Sequence, residues 1–182
     1  MIIKLKKDMK TLLILIITAS IGLISCKKND SNEPSKSKIE IYMLKSYKRA
    51  NNSRQITSDS LVLNDTALIK DSGIMSYNMT NHTFIISENK AQWLKDYDTN
   101  KIFGKAFAVT IDKKVIYTGY FWAGFASSTV DWVIIDLLKI SNENKLIVEI
   151  GYPGLMQGMS IPDFRNDNRI LDVLSKTNRL LK

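Results

Sequence analysis

The sequence predicts an α+β fold: a mainly antiparallel sheet with one helix in mid-chain and another at the C-terminal end. Three observations carry this. Apolar side chains alternate with a period of two in several short segments. Turn-forming residues separate those segments at hairpin distances. Helix starts followed by helical spacing of apolar residues occur at two places, after Ser87 and near Asp167.

Each element can be read from its residues. From Ile39 to Tyr47, Ile39, Ile41 and Met43 fall on one side and Tyr42 and Leu44 on the other, which reads as a strand. Residues 49–60 are polar and read as loop, Leu61-Val62-Leu63 is a short apolar run ended by Asn64-Asp65, and Ile74 to Tyr77 is a further short element. Thr83 to Ile86 reads as a strand. Ser87 then opens a helix to about Tyr97, with Glu88 in its first turn and Ala91, Leu94 and Trp93 turned inward. Ala106–Ile111 and Val115–Trp122 flank Asp112-Lys113-Lys114 and form a hairpin. Trp132–Leu138 and Lys145–Tyr152 form the next pair, with the bend at Ser141–Asn144. Gly151, Pro153, Gly154 and Gly158 then break the chain into loop. From about Asp167 an amphipathic helix turns Ile170, Leu171, Leu174 and Leu181 inward. No internal repeat is visible.

The first 38 residues have a different character. Met1 to Lys10 carries four lysines against one aspartate, and an apolar run from Thr11 to Gly22 comes next. A charged start, a short apolar stretch and small residues before a cut site are the parts of a secretory signal. The run is shorter than the roughly 20 residues a membrane-crossing helix needs. Leu23-Ile24-Ser25-Cys26 resembles the lipobox of bacterial lipoproteins. That resemblance implies cleavage before Cys26, attachment of a diacylglycerol to its thiol, and acylation, for instance by palmitate, of the new amine. Residues 1–25 are thus expected to be a lipoprotein signal peptide, with Cys26 the lipid attachment site. Each buried methylene contributes about 0.8 kcal/mol, so two or three acyl chains hold a protein at a membrane where one would not. Lys27 to Lys38 is polar and aperiodic, a flexible tether. With lysine at position 27, the resemblance favours the outer membrane. Bacteroidota-type lipoproteins exported to the surface have acidic residues after a Cys-Lys start; Lys28 and Asn29 interrupt that pattern, so both faces of the membrane stay open.

Removal of residues 1–25 from the 182 leaves 157, and residues 39–182 make one domain large enough to bury its own core. Four lysines and one aspartate leave with the signal, so the formal charge falls from +8 to +5. The lysines are dispersed rather than gathered on one face, which argues against nucleic acid as a partner. A basic surface near anionic lipid head groups is the simpler account.

One stretch carries a second resemblance. Thr83-Phe84-Ile85-Ile86-Ser87, a helix bearing Leu94, Gly104 through Asp112, and Val115-Ile116-Tyr117-Thr118-Gly119 succeed one another in order. Over residues 60–125 this is similar to the head subdomain in the first periplasmic domain of SecD, a component of protein export. Leu61-Val62-Leu63, Ile69 and Gly73-Ile74 match the short strand that precedes it. The resemblance implies a fold and supplies no activity.

Chemistry is constrained by what the chain contains. Cys26 is the sole cysteine, and acylation removes its thiol from redox, metal and catalytic roles. His82 is the sole histidine, in the polar Asn81-His82-Thr83, and reads as an exposed loop residue. A triad would need it together with a serine such as Ser127 or Ser128, and no Gly-x-Ser-x-Gly elbow is present. A zinc site of the usual ligands lacks its ingredients; neither metal nor cofactor is expected. In Ser160–Arg169, Asp163 and Asp167 offer oxygens to calcium, but the spacing lacks the glycine and final glutamate of an EF loop. The alternative is a helix start capped by Asp167 or Asn166, with Arg169 pairing to a carboxylate. Asp59-Ser60-Leu61 and Asp65-Thr66-Ala67 resemble the acceptor pattern of Bacteroidota O-glycosylation.

Aromatic residues crowd the second hairpin strand and the loop after it: Tyr117, Tyr120, Phe121, Trp122, Phe125 and Trp132. Alternation sends Tyr117 and Phe121 one way and Tyr120 and Trp122 the other. Either both sets are core, or one set is an exposed binding face to which Gly119 and Gly124 give close access. The expected function is a membrane-anchored, non-enzymatic envelope protein that binds a protein or glycan. The rivals are a carboxylate-dependent hydrolase, which needs two facing acids, and an inhibitor or self-protection protein presenting a loop such as Gly151–Ser160.

Overall fold

The computed structural model describes residues 36–96, 99–140 and 144–182. The expected signal peptide, the lipobox-like Leu23–Cys26, most of the expected tether, the expected helix end at Tyr97 and most of the expected bend at 141–144 lie outside the described residues. Ser37–Lys182 forms one compact unit by itself. Among the described residues no helix is long and apolar enough to cross a membrane.

The fold is α+β, as the alternating segments require. Its strands are β1 (Ile39–Ser46), β2 (Val62–Leu63), β3 (Ile74–Asn78), β4 (Thr83–Ile86), β5 (Ala106–Ile111), β6 (Lys114–Trp122), β7 (Val130–Asp136), β8 (Lys145–Tyr152) and β9 (Leu180–Leu181). Helices α1 (Glu88–Asp96), α2 (Thr99–Ile102) and α3 (Asn168–Lys176) complete it. The strands make one sheet in the order β2-β1-β5-β6-β7-β8-β4-β3-β9. Most neighbours are antiparallel. The exceptions are β6 with β7 and β3 with β9, two parallel pairs that alternation in the sequence does not announce.

The turn between β5 and β6 shows how local chemistry sets the register. Asp112 and Lys113 both have positive φ, 49° and 64°, the conformation of a tight turn whose twist matches the strands it joins. The Asp112 carboxylate accepts from the Lys38 N–H at 2.9 Å and its own N–H donates to the Lys38 carbonyl, fastening the start of the domain to this turn.

Both faces of the sheet are buried. One core joins Ile39, Ile41, Phe107, Val109, Tyr117, Phe121, Val133, Ile135 and Val148 with α1 and α3, which contribute Ala91, Leu94, Ile170 and Leu174. The other joins Ile56, Ala106, Tyr120, Trp122, Val130 and Ile134, with Leu44, Tyr47, Leu61, Phe103, Ala126, Trp132 and Tyr152 packed around them. Loops cover this second core.

Several expectations need correction. Trp93 is 39% exposed on the outer side of α1, where the Lys90 ammonium sits 4.1 Å from its ring centre. Leu181 does not belong to the last helix: α3 ends at Lys176, Asn178 turns the chain at a φ of 55°, and Leu180–Leu181 pairs with β3. The strand expected over Trp132–Leu138 starts earlier, at Val130, and gives way to a short helical turn at Leu137, where the Asp136 carboxylate accepts from the Leu138 N–H. Within the expected loop 49–60, Ile56 is buried and belongs to the second core.

Candidate functional site

The parallel contact between β6 and β7 is brief. Tyr120, Phe121 and Trp122 pair with Ile134, Ile135 and Asp136, and toward the earlier residues of both strands the sheet opens. A parallel crossover ordinarily takes a dozen or more residues, and the connection 123–129 is shorter than that. Gly119 stands where the two strands come together. A Cβ there would lie 2.5 Å from the Phe107 ring and 2.7 Å from the Val133 carbonyl oxygen, so only glycine lets the strands close at this point.

The opening is a cleft of about 870 Å³, within the size range of small-ligand sites. Val115, Ile116, Tyr117 and Thr118 of β6 form one wall and Trp132 and Val133 of β7 the other; Ile56–Asp59 and Leu61 close one side, Pro162 and Phe164 another. The Trp132 indole N–H donates to the Thr118 hydroxyl at 3.0 Å across the opening. Phe164 is 45% exposed.

Tyr117 contributes a wall to this cleft, and its hydroxyl is buried with no hydrogen-bond partner among the described residues. Burial drives its pKa well above 10, with the phenol of Tyr77 adding to the rise. The nearby polar cluster is satisfied. The Tyr77 hydroxyl lies 2.9 Å from the Arg165 carbonyl oxygen and 3.0 Å from Asn166 Oδ1, either of which accepts its proton. Asn166 Nδ2 donates to the Met79 carbonyl. The Arg165 guanidinium grips Asp163 through Nε and Nη2 and donates from Nη1 to the Val148 carbonyl. The hydrogen bonds from Arg165 hold the Asp163 carboxyl below the usual range, against the effect of its burial.

His82 sits beside this cluster rather than free in solvent as the sequence suggested. It is half-buried, has a φ of 53°, and places Nδ1 3.4 Å from the Tyr77 hydroxyl. Desolvation and the Arg165 charge lower its pKa below 6.5.

Of the residues singled out in the sequence, Tyr117, Tyr120, Phe121 and Trp122 are all nearly fully buried. The aromatic strand is therefore core on both faces, and the exposed-face alternative fails because Tyr117 and Phe121 are enclosed in the helix-covered core and Tyr120 and Trp122 in the loop-covered one. Phe125 differs: it is 70% exposed, with its ring stacked toward Phe103 at 6.3 Å. Of the six aromatic residues, Tyr117 and Trp132 reach the cleft. Asp167 caps α3 by accepting from the Arg169 N–H and pairs with its side chain at 2.7 Å. Asp163 and Asp167 are thus each engaged by an arginine, which weakens the calcium reading. The Ser60 hydroxyl is buried, closed to sugar attachment in this conformation, whereas Thr66 is exposed. In the Gly151–Ser160 loop, Leu155 is 61% and Met156 38% exposed.

Ile56, Leu61, Pro162 and Phe164 were missed as cleft residues. Their sequence signals were weak, an isolated apolar residue in a polar loop or a lone aromatic in a charged run. Comparison with family models, with curated proteins and with solved structures found no match to this chain.

Proposed function

We propose that this chain is a cell-envelope lipoprotein, held by acyl chains on Cys26, whose domain works by binding a protein or glycan in the cleft between β6 and β7. The cleft is the observation that carries the binding reading. It has apolar walls, a few polar groups and a half-exposed aromatic at its rim, the make-up of a recognition site. Its lining includes one carboxylate, Asp59, where hydrolysis by paired acids calls for two; this favours binding over the hydrolase. The lipobox supports the anchor, and Lys27 favours the outer membrane over the inner.

Two measurements test the two halves. Intact mass of the protein from its native host should show a chain that begins at acylated Cys26, and Cys26→Ala should accumulate as an unlipidated precursor that keeps residues 1–25. A native-host protein without acyl mass, or a Cys26→Ala protein still cut before residue 26, would refute the anchor. For binding, the native lipoprotein is titrated with envelope glycan fragments and envelope proteins. Phe164→Ala should weaken the saturable partner about tenfold or more, as loss of an aromatic anchor does. Equal binding by this variant would remove the cleft as the site.

A further inference from the structure

A second cleft, of about 820 Å³, lies at the start of β7, under the loop after β1. Lys48, Arg49 and Arg54 line it, together with Thr129, Asp131 and Met159. The loop is not slack. The Ala50 N–H donates to the Gln55 carbonyl and the Thr57 N–H to that of Lys48. Asp131 clamps its tip, accepting from the Ser53 hydroxyl at 2.6 Å and from the Arg54 N–H at 2.7 Å. The Tyr120 hydroxyl donates to the Arg54 carbonyl from the core below. The cations are therefore presented by a fixed frame.

Their own bonding capacity is unspent. The Arg54 guanidinium lies 4.9 Å from the centre of the Trp122 ring, half-buried, and among the described residues its N–H groups have no hydrogen-bond acceptor. Lys48 and Arg49 are exposed and form no ion pair among the described residues. Asp131 is the one acid in the lining, and both its oxygens already accept from the loop; Asp59, near Lys48, is the other acid at hand. Three cations against the committed Asp131 and the Asp59 near Lys48 leave a net positive charge that a phosphate monoester or diester would neutralise, and guanidinium forks match phosphate oxygens. The cleft is larger than a phosphate alone needs.

We propose that Lys48, Arg49 and Arg54 form a binding site for a phosphate group carried on a larger polar body, a sugar phosphate or a lipid head group. The site is distinct from the β6–β7 cleft and does not depend on it.

Calorimetric titration of the full lipidated chain in detergent tests this. The probes are inorganic phosphate, glucose 6-phosphate and glycerophosphoglycerol, with glucose as the neutral control. Saturable binding of glucose 6-phosphate identifies the free ester as the source, and binding of glycerophosphoglycerol alone identifies the head group. Arg49→Glu, an exposed change, should weaken either by about tenfold or more. Arg54→Gln should do the same, and if that variant unfolds, Arg49→Glu decides. Lys95→Glu, exposed on α1 over the opposite face of the sheet, should bind as the unaltered protein does. Absence of binding by every phosphate probe, unchanged affinity in Arg49→Glu, or equal weakening by Lys95→Glu would each overturn the proposal.

Discussion

The two faces of the sheet are both buried, but by different means. On one face α1 and α3 lay Ala91, Leu94, Ile170 and Leu174 over a mostly aliphatic layer. A helix satisfies its own backbone, so it can seal a core without polar help from the side chains beneath. On the other face the cover is loop, whose backbone needs outside partners. Side chains under it have polar tips that supply them: the Tyr120 hydroxyl donates to the Arg54 carbonyl and the Tyr152 hydroxyl to that of Gly124. The amphipathic aromatics of this face are thus a consequence of its cover. The phosphate-site candidate is built from that cover, as loop-borne sites on rigid scaffolds commonly are.

Truncation measures the contrast most directly. Phe121→Ala, deep in the helix-covered core, should cost about 3–5 kcal/mol of unfolding free energy in chemical denaturation. Tyr47→Ala, at the half-buried margin of the loop-covered core, where its ring meets Tyr120 edge-on at 6.0 Å, should cost about 1–2 kcal/mol. Equal costs would show that loops seal their face as firmly as helices do.

A pH titration comes next in size. His82 has its folded-state pKa lowered by desolvation and by Arg165, with Asp163 and Asn166 opposing. The unfolded chain therefore binds a proton more readily, and stability rises with pH through this window. Stability from the neutral imidazole is complete above about pH 6.5 and is lost as pH falls toward the depressed folded value. In His82→Asn, where asparagine tolerates the left-handed backbone, the denaturation midpoint should stay flat through that interval. A slope identical to that of the unaltered protein would assign the pH dependence to other groups.

The smallest effect expected is at Tyr117. Its hydroxyl is buried and has no partner among the described residues, so Tyr117→Phe removes a desolvated polar group without losing a contact. Stability should be unchanged or higher by up to about 1 kcal/mol. A loss of more than that would mean the hydroxyl has a partner, such as a bound water.

The legibility of the chain divides along the same line. The strands β5, β6 and β8 and the starts of α1 and α3 could be read because alternation, turn residues and caps act between residues near in sequence. The burial of Tyr117 with Phe121 and of Tyr120 with Trp122 in opposite cores came from the two-residue period of β6. The proposed anchor at Cys26 likewise rests on a local pattern, written wholly in residues 1–26. His82, Ile56 and Leu181 were misread because their surroundings come from distant segments: the 163–166 loop, the cover of the second core and strand β3.

Local pattern was therefore enough for the composition of the layers: which side chains alternate and where helices start. The two parallel pairings, and with them the cleft where β6 and β7 part, arise only in three dimensions. So do the placement of Arg54 over Trp122 and of Ser53 against Asp131, contacts that cross 68 and 78 positions of the chain. Pairing partners at such separations are chosen by the free energy of the whole fold, through burial and loop closure. No local pattern encodes that choice.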